Sequence, residues 1–235
     1  MTNILLIPGN MCDQRLWGPV AQRLVDAGHG VRHAPPLIQS SIAVMAEDVL
    51  MTLDDPVIAV GFSMGAIVAA EMALWAPDNI AALGLIAFNA SDDLKERAAV
   101  RPRQQNDVRN GGLAKVVGEE LKPNYLAQVH RGDADLLDTV MQMALALGPD
   151  VFVAQSEALR LREDLRVGLG QLAMPIMLSC GSEDRLCPPE WHRDWAELIG
   201  ANASFCEIRE AGHLLPLEQP NALADALSDW LANEA

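Results

Sequence analysis

The chain has 235 residues, half of them hydrophobic and 21% charged, enough for one large α/β domain with a substantial core or for two small domains. Its net charge of −15 argues against nucleic acid and anionic membrane surfaces as partners, and no unbroken apolar run approaches the ~18 residues of a membrane span. The four cysteines (Cys12, Cys180, Cys187, Cys206) form no CxxC pair, so no metal site is expected. The start, Met1-Thr2-Asn3-Ile4-Leu5-Leu6-Ile7-Pro8, has no basic stretch and runs straight into a strand-like segment. No signal peptide is expected there, and reduced thiols in a cytoplasmic protein are the expectation.

In chain order, apolar runs alternate with amphipathic stretches, the rhythm of a mostly parallel sheet flanked by helices. A strand is expected at 3–7, then a helix at 15–27 with Leu16, Val20 and Leu24 on one face. A short strand at 30–33 precedes a helix at 41–53 carrying Ile42, Met45, Val49 and Leu53. The central strand, 57–60, leads into a tight turn and a small-residue helix that Pro77 stops. A strand follows at 82–88. From 91 to 172 the pattern turns helical and polar, punctuated by Gly111-Gly112, Pro123 and Gly148-Pro149, with no clear strand. So long an interval inside a βα series predicts an inserted helical lid. Residues 1–90 and 173–235 then form the core, with strands at 175–180 and 205–208 and helices at 191–199 and 221–233. Trp75, Trp191, Trp195 and Trp230 lie at helical spacing among apolar residues and are expected in the core.

Gly61-Phe62-Ser63-Met64-Gly65 lies between the central strand and the small-residue helix. A serine between two glycines at such a strand-to-helix turn is a nucleophile elbow: the tight turn lifts the hydroxyl above the sheet edge and sets the Met64 N–H at a helix N-terminus. A serine hydroxyl needs a neighbouring base, usually a histidine oriented by a carboxylate. At an elbow the partners follow in the order acid, then histidine, each past a later strand. Asp184 in Gly181-Ser182-Glu183-Asp184 fits the acid better than the adjacent, longer Glu183, although an Asp after a strand also serves as a helix cap. His213 in Ala211-Gly212-His213 fits the base. His29, His33, His130 and His192 fit worse by position. An oxyanion needs a second donor besides Met64 N–H; the loop Pro8-Gly9-Asn10-Met11-Cys12 offers Asn10 N–H, with Met11 N–H as the fallback.

With these motifs the chain resembles the α/β-hydrolase superfamily, in particular the small, lidded bacterial esterases and lactonases. The resemblance spans the chain outside the lid and rests on ILLIPGNMCD, GFSMG around Ser63, GSEDRLCPP with Asp184 and AGHLLPLEQP with His213. It implies about six mainly parallel strands with an inserted helical lid. It also implies a serine hydrolase acting on a small-molecule carboxylic ester or lactone. Pro8-Gly9 stands where the family's oxyanion loop usually has His-Gly, so a side chain of the common motif is absent. The N-terminal antiparallel strands of many relatives are not expected here either.

The mechanism so implied is acyl transfer to water, with no cofactor and no metal; GxGxxG is absent, so no dinucleotide is expected. Two other readings stay open: cofactor-free carbon–carbon cleavage or ring oxygenation on the same scaffold, and a slow ligand-binding or signalling module. The lid carries 11 of the 17 Lys and Arg residues, which would attract a carboxylate-bearing substrate unless those charges are merely solvated. Met141, Met143, Leu136, Leu137, Leu145 and Leu147 either line an apolar pocket or pack the lid's underside. The sequence leaves the oligomeric state open.

Overall fold

The computed structural model describes residues 3–121 and 125–233; the expected break at Pro123 lies outside them. Six strands form a single sheet: β1 (Asn3–Ile7), β2 (Gly30–His33), β3 (Val57–Phe62), β4 (Ile80–Ile86), β5 (Ile176–Gly181) and β6 (Ala203–Ile208). Their order is β2-β1-β3-β4-β5-β6 and every pairing is parallel. The connections are helical: α1 (Gly18–Asp26), α2 (Ile42–Leu50) and α3 (Met64–Trp75) join the first four strands, and α8 (Pro189–Ile199) joins β5 to β6. α9 (Leu215–Glu218) and α10 (Pro220–Asn233) close the described chain.

Strand residues alternate between the faces, as the two-residue period of a strand requires. Leu5, Ile7, Val57, Ala59, Leu83 and Leu85 enter one core with α2 and α3. Ile4, Leu6, Ile58, Val60, Ala82 and Ile86 enter the other with α1 and α10. Both faces are covered, so the central strands are apolar along their whole length. Most of the expected elements are present within a few residues of their expected ends. Two tryptophan assignments are corrected. Trp75, the last residue of α3, is half exposed, beyond the final buried turn of Met72 and Ala73. Trp191 is half-buried and belongs to neither core, whereas Trp195 packs against the first core and Trp230 is buried in the second.

Between β4 and β5 the described residues contain only helices and loops. They comprise α4 (Lys95–Asp107), the short α5 (Leu113–Lys115) flanked by π-type turns, α6 (Ala134–Arg160) and α7 (Arg166–Leu169). Val108, Val116, Val117, Ala144 and Phe152 build a third apolar cluster that takes in Met11 of the loop after β1. By length and composition α6 is the one helix among the described residues able to cross a membrane. It is broken at Gly148 (φ 84°, ψ 177°) just before Pro149, and its Val140, Met143, Ala144 and Phe152 are buried against the rest of the protein.

The strand order reverses between β1 and β3, so the loops leaving those two strands diverge. In open parallel sheets ligands bind in the crevice at such a switch point, beyond the carboxyl ends of the strands. Asn10 and Ser63 both stand there.

Candidate functional site

β3 ends at Phe62, and Ser63 follows with φ 50° and ψ −113° before α3 begins. A side chain at positive φ is strained and persists only where the surroundings impose it. The surroundings here are backbone. A Cβ on Gly61 would sit 2.3 Å from Gly65 O, and one on Gly65 would sit 2.4 Å from both Ile7 O and Pro8 O. The two glycines therefore let the turn close on itself and press against the end of β1. Ser63 N–H donates to Ile86 O at 2.8 Å, tying the turn to β4.

The structure brings together three of the residues named from the sequence. His213 Nε2 lies 3.0 Å from Ser63 Oγ, and His213 Nδ1 lies 2.9 Å from Asp184 Oδ2. Asp184 is 3% exposed and His213 5%. The other carboxylate oxygen, Asp184 Oδ1, accepts from Leu186 N–H (2.8 Å) and Cys187 N–H (2.9 Å). Burial opposes the charge on Asp184, but His213 and the two backbone donors outweigh it and hold its pKa below the usual carboxylate value. An ionised Asp184 accepts from Nδ1–H, which leaves His213 Nε2 as the acceptor for the serine hydroxyl. A hydroxyl held in this way can pass its proton to the ring as its oxygen attacks. Glu183, the rejected neighbour, turns elsewhere and accepts from Gln128 N–H at 2.9 Å.

The histidine is fixed through its own backbone. His213 N–H donates to Tyr125 O at 2.6 Å, and the buried Glu218 accepts from both Gly212 N–H (3.0 Å) and Ala127 N–H (2.7 Å). Phe62 and Tyr125 flank the imidazole, with ring centroids 5.2 and 6.0 Å away. His192 is wholly buried: its Nε2 accepts from Phe88 N–H at 2.8 Å and its Nδ1 donates to Pro188 O. Burial depresses its pKa to about 4, so it is a neutral core group.

The loop after β1 crosses close to the serine. Gly9 packs on Phe62 so tightly that a Cβ would meet the ring at 2.6 Å. Asn10 N–H and Met64 N–H have no protein acceptor among the described residues. The fallback donor, Met11 N–H, is engaged: it donates to Gln155 Oε1 at 2.7 Å. Gln155, 1% exposed on α6, also accepts from Asn10 Nδ2 (3.1 Å) and donates to Leu37 O (2.7 Å). Sequence reasoning missed Gln155 and Glu218. The signal for Gln155 was present, because it shares the buried stripe of α6 with Phe152 and Leu159.

Ser63 and His213 open into a cavity of ≈ 350 Å³ whose far wall is formed by α4 and α6. From α6 the lining residues are Val140, Ala144 and Leu159; Met141, Met143, Leu136, Leu137, Leu145 and Leu147 are not among them. Met143 is buried instead, and Leu145 is half exposed. Cys12 and Cys187 line the cavity as buried thiols. Burial, with Asp13 nearby, pushes Cys12 up to about 12, and burial beside Asp184 raises Cys187 well above its ordinary value. Both are protonated and poor nucleophiles. Asp184, Cys187 and His213 are close enough to one another to hold a metal ion; Asp184 and His213 are hydrogen-bonded to each other.

Known proteins resemble the chain over nearly its full length. A thermophilic esterase from Thermogutta terrifontis, solved with malate bound, is 27% identical with a TM-score of 0.89, covering 99% of this chain and 90% of that one. The enol-lactonase from Burkholderia xenovorans LB400 shares the fold at 21% identity and a TM-score of 0.86, covering 99% and 92%. The biotin biosynthesis bifunctional protein BioHC of Cellvibrio japonicus (strain Ueda107) is 25% identical over 97% of this chain. The chain spans about half of that relative's length, 47%. The profile described as "Alpha/beta hydrolase family" matches residues 4–226, and with the six-stranded sheet and the helices that flank it, the chain belongs to that family.

Proposed function

We propose that the protein is a serine hydrolase that cleaves a small-molecule carboxylic ester or lactone through an acyl-enzyme on Ser63. The observation that carries this reading is the continuous hydrogen-bonded chain Asp184–His213–Ser63, at 2.9 and 3.0 Å, opening into a cavity. As Ser63 Oγ attacks the carbonyl carbon, His213 Nε2 takes its proton, and Asp184 stabilises the imidazolium and fixes its orientation. The N–H groups of Asn10 and Met64 receive the oxyanion; such donors are worth several kcal/mol because they are aimed before charge develops. Collapse of the tetrahedral intermediate breaks the ester C–O bond, and His213 returns the proton to the departing alkoxide. Water activated by the same imidazole then releases the acid. The helical segment between β4 and β5 acts as a lid over the acyl group. The esterase and enol-lactonase relatives support the same reaction class.

The test is acyl trapping. Wild type mixed with p-nitrophenyl butyrate and taken to intact mass before turnover completes should carry one butyryl group, and Ser63→Ala none. A folded protein that neither forms the adduct nor releases nitrophenol would overturn the assignment.

A further inference from the structure

The cavity that Ser63 opens into is lined by three arginines, one of which has no carboxylate partner among the described residues. Arg97 and Arg101 lie four residues apart on α4, on the same face, and both line the cavity together with Arg162. One carboxylate serves two of these guanidinium groups: Asp93 pairs with Arg101 (Nε–Oδ2, 2.6 Å) and with Arg162 (Nη1–Oδ1, 2.9 Å). Arg162 is filled by the carbonyls of Ser91, Asp92 and Leu159 as well. Arg97 has no carboxylate partner among the described residues; it donates a single hydrogen bond, to Leu186 O at 3.0 Å. Of the two acidic residues on the same lining, Glu120 is engaged by Arg103 and Gln104, and Glu96 is exposed.

A second group on this wall lacks a partner. Asn89, 5% exposed, uses its Oδ1 to accept from Ser91 N–H and Ser91 Oγ, which fixes the amide's orientation. Its Nδ2 is buried with no partner, and Asn89 lines the cavity. A buried donor left unpaired is costly, and such groups in a native site stand ready for a ligand acceptor. Arg97 shares the cavity lining with Ser63, His213 and Cys187, and its hydrogen bond to Leu186 O ties it to the loop that carries Asp184.

Given the ester-hydrolase reading above, we infer that the substrate carries a free carboxylate, received by the Arg97 guanidinium and Asn89 Nδ2. The substrate class is then a half-ester of a dicarboxylic acid or a carboxylate-bearing lactone. The apolar lining from Met11, Val117, Val140 and Ala144 takes the carbon chain between the anion and the scissile carbonyl. A guanidinium offers paired donors matched to a carboxylate, and charge complementarity at a cavity wall selects partners more than it adds raw affinity.

The experiment compares mono-p-nitrophenyl glutarate with p-nitrophenyl butyrate, similar in length but differing in the terminal anion. Wild type should show at least a tenfold higher kcat/KM on the glutarate half-ester. Arg97→Gln should lower that anion-to-neutral ratio at least tenfold, Arg97→Lys should restore part of it, and Asn89→Asp should lower it through like-charge repulsion. A wild-type ratio near one, or a ratio unmoved in Arg97→Gln, would overturn the inference while leaving the ester hydrolase intact. A readout without turnover separates the two ideas: millimolar glutarate should raise the melting temperature of wild type and Ser63→Ala, but not of Arg97→Gln. No shift in Ser63→Ala counts against the anion site. A shift in a protein that hydrolyses neither ester keeps the anion site and rejects the hydrolase.

Discussion

Replacing Gln155 with Met, close in volume but without a polar head, should damage both stability and turnover. Three hydrogen bonds end on that side chain: Met11 N–H, Asn10 Nδ2 and Leu37 O. Asn10 is half-buried and regains a partner from solvent. Met11 N–H and Leu37 O are left buried and unpaired at about 1–3 kcal/mol each, so the loss should be about 2–6 kcal/mol. The kinetic consequence comes through Asn10 N–H. Removing an oxyanion donor outright costs about 10²–10³ in kcat; a donor loosened rather than deleted should cost about tenfold to a hundredfold. Urea denaturation followed by tryptophan fluorescence gives the first quantity, and p-nitrophenyl butyrate hydrolysis well below the unfolding transition gives the second. Gln155→Glu separates the two, because it keeps an acceptor for Met11 N–H while losing the donor to Leu37 O. It should be destabilised yet retain more kcat than Gln155→Met. Equal kcat in both variants, or a kcat within twofold of wild type in Gln155→Met, would refute the argument that this residue holds the loop.

Ser63→Gly should abolish turnover and stabilise the fold by about 1 kcal/mol, since relief of a strained backbone (about 1–3 kcal/mol) exceeds the entropy cost of glycine; a lower urea midpoint would contradict this. Asp184→Asn should lower kcat less than His213→Ala, because the carboxylate orients the base and the imidazole moves the proton; the reverse order in a steady-state comparison would exchange those roles. His192 titrates at about 4 when folded and near 6.5 when unfolded, so the unfolded chain binds the extra proton first. Stability should therefore fall as pH drops from about 6.5 to about 4, by up to about 3 kcal/mol. In His192→Gln, which keeps an acceptor for Phe88 N–H, unfolding free energies measured across that window should show a shallower slope; an unchanged slope would place the titrating group elsewhere.

What could be read from the sequence follows from which signals are local. Strands such as Val57–Phe62 are apolar runs bounded by turns, so both their presence and their parallel character were legible. The elbow was legible because two glycines at fixed spacing report backbone collisions, which the structure locates at Gly65 O for Gly61 and at Ile7 O and Pro8 O for Gly65. Asp184 and His213 were singled out by the order that the chemistry demands, and the structure brings them together with Ser63. Trp75 was misplaced because helical spacing does not reveal where a helix leaves the core. Gln155, Asn89 and Glu218 escaped notice for another reason. A polar residue that will be buried looks like a surface one until its partner is known, and the partner of Gln155 lies 144 residues away. The direction of the arginines was equally hidden. Their number in residues 91–172 was countable, but the single carboxylate shared by Arg101 and Arg162 was not.

The anchoring of His213 bears on how this scaffold can be recombined. Its loop is held by Tyr125 O directly and by Ala127 N–H through Glu218, and both anchors belong to the stretch between β4 and β5. That stretch is therefore not a detachable module. A chimera that imports residues 91–172 from a relative would exchange the cavity wall and the moorings of the histidine together. Glu218 and the backbone at 125–127 would have to travel as a matched pair for the graft to keep His213 in register with Ser63.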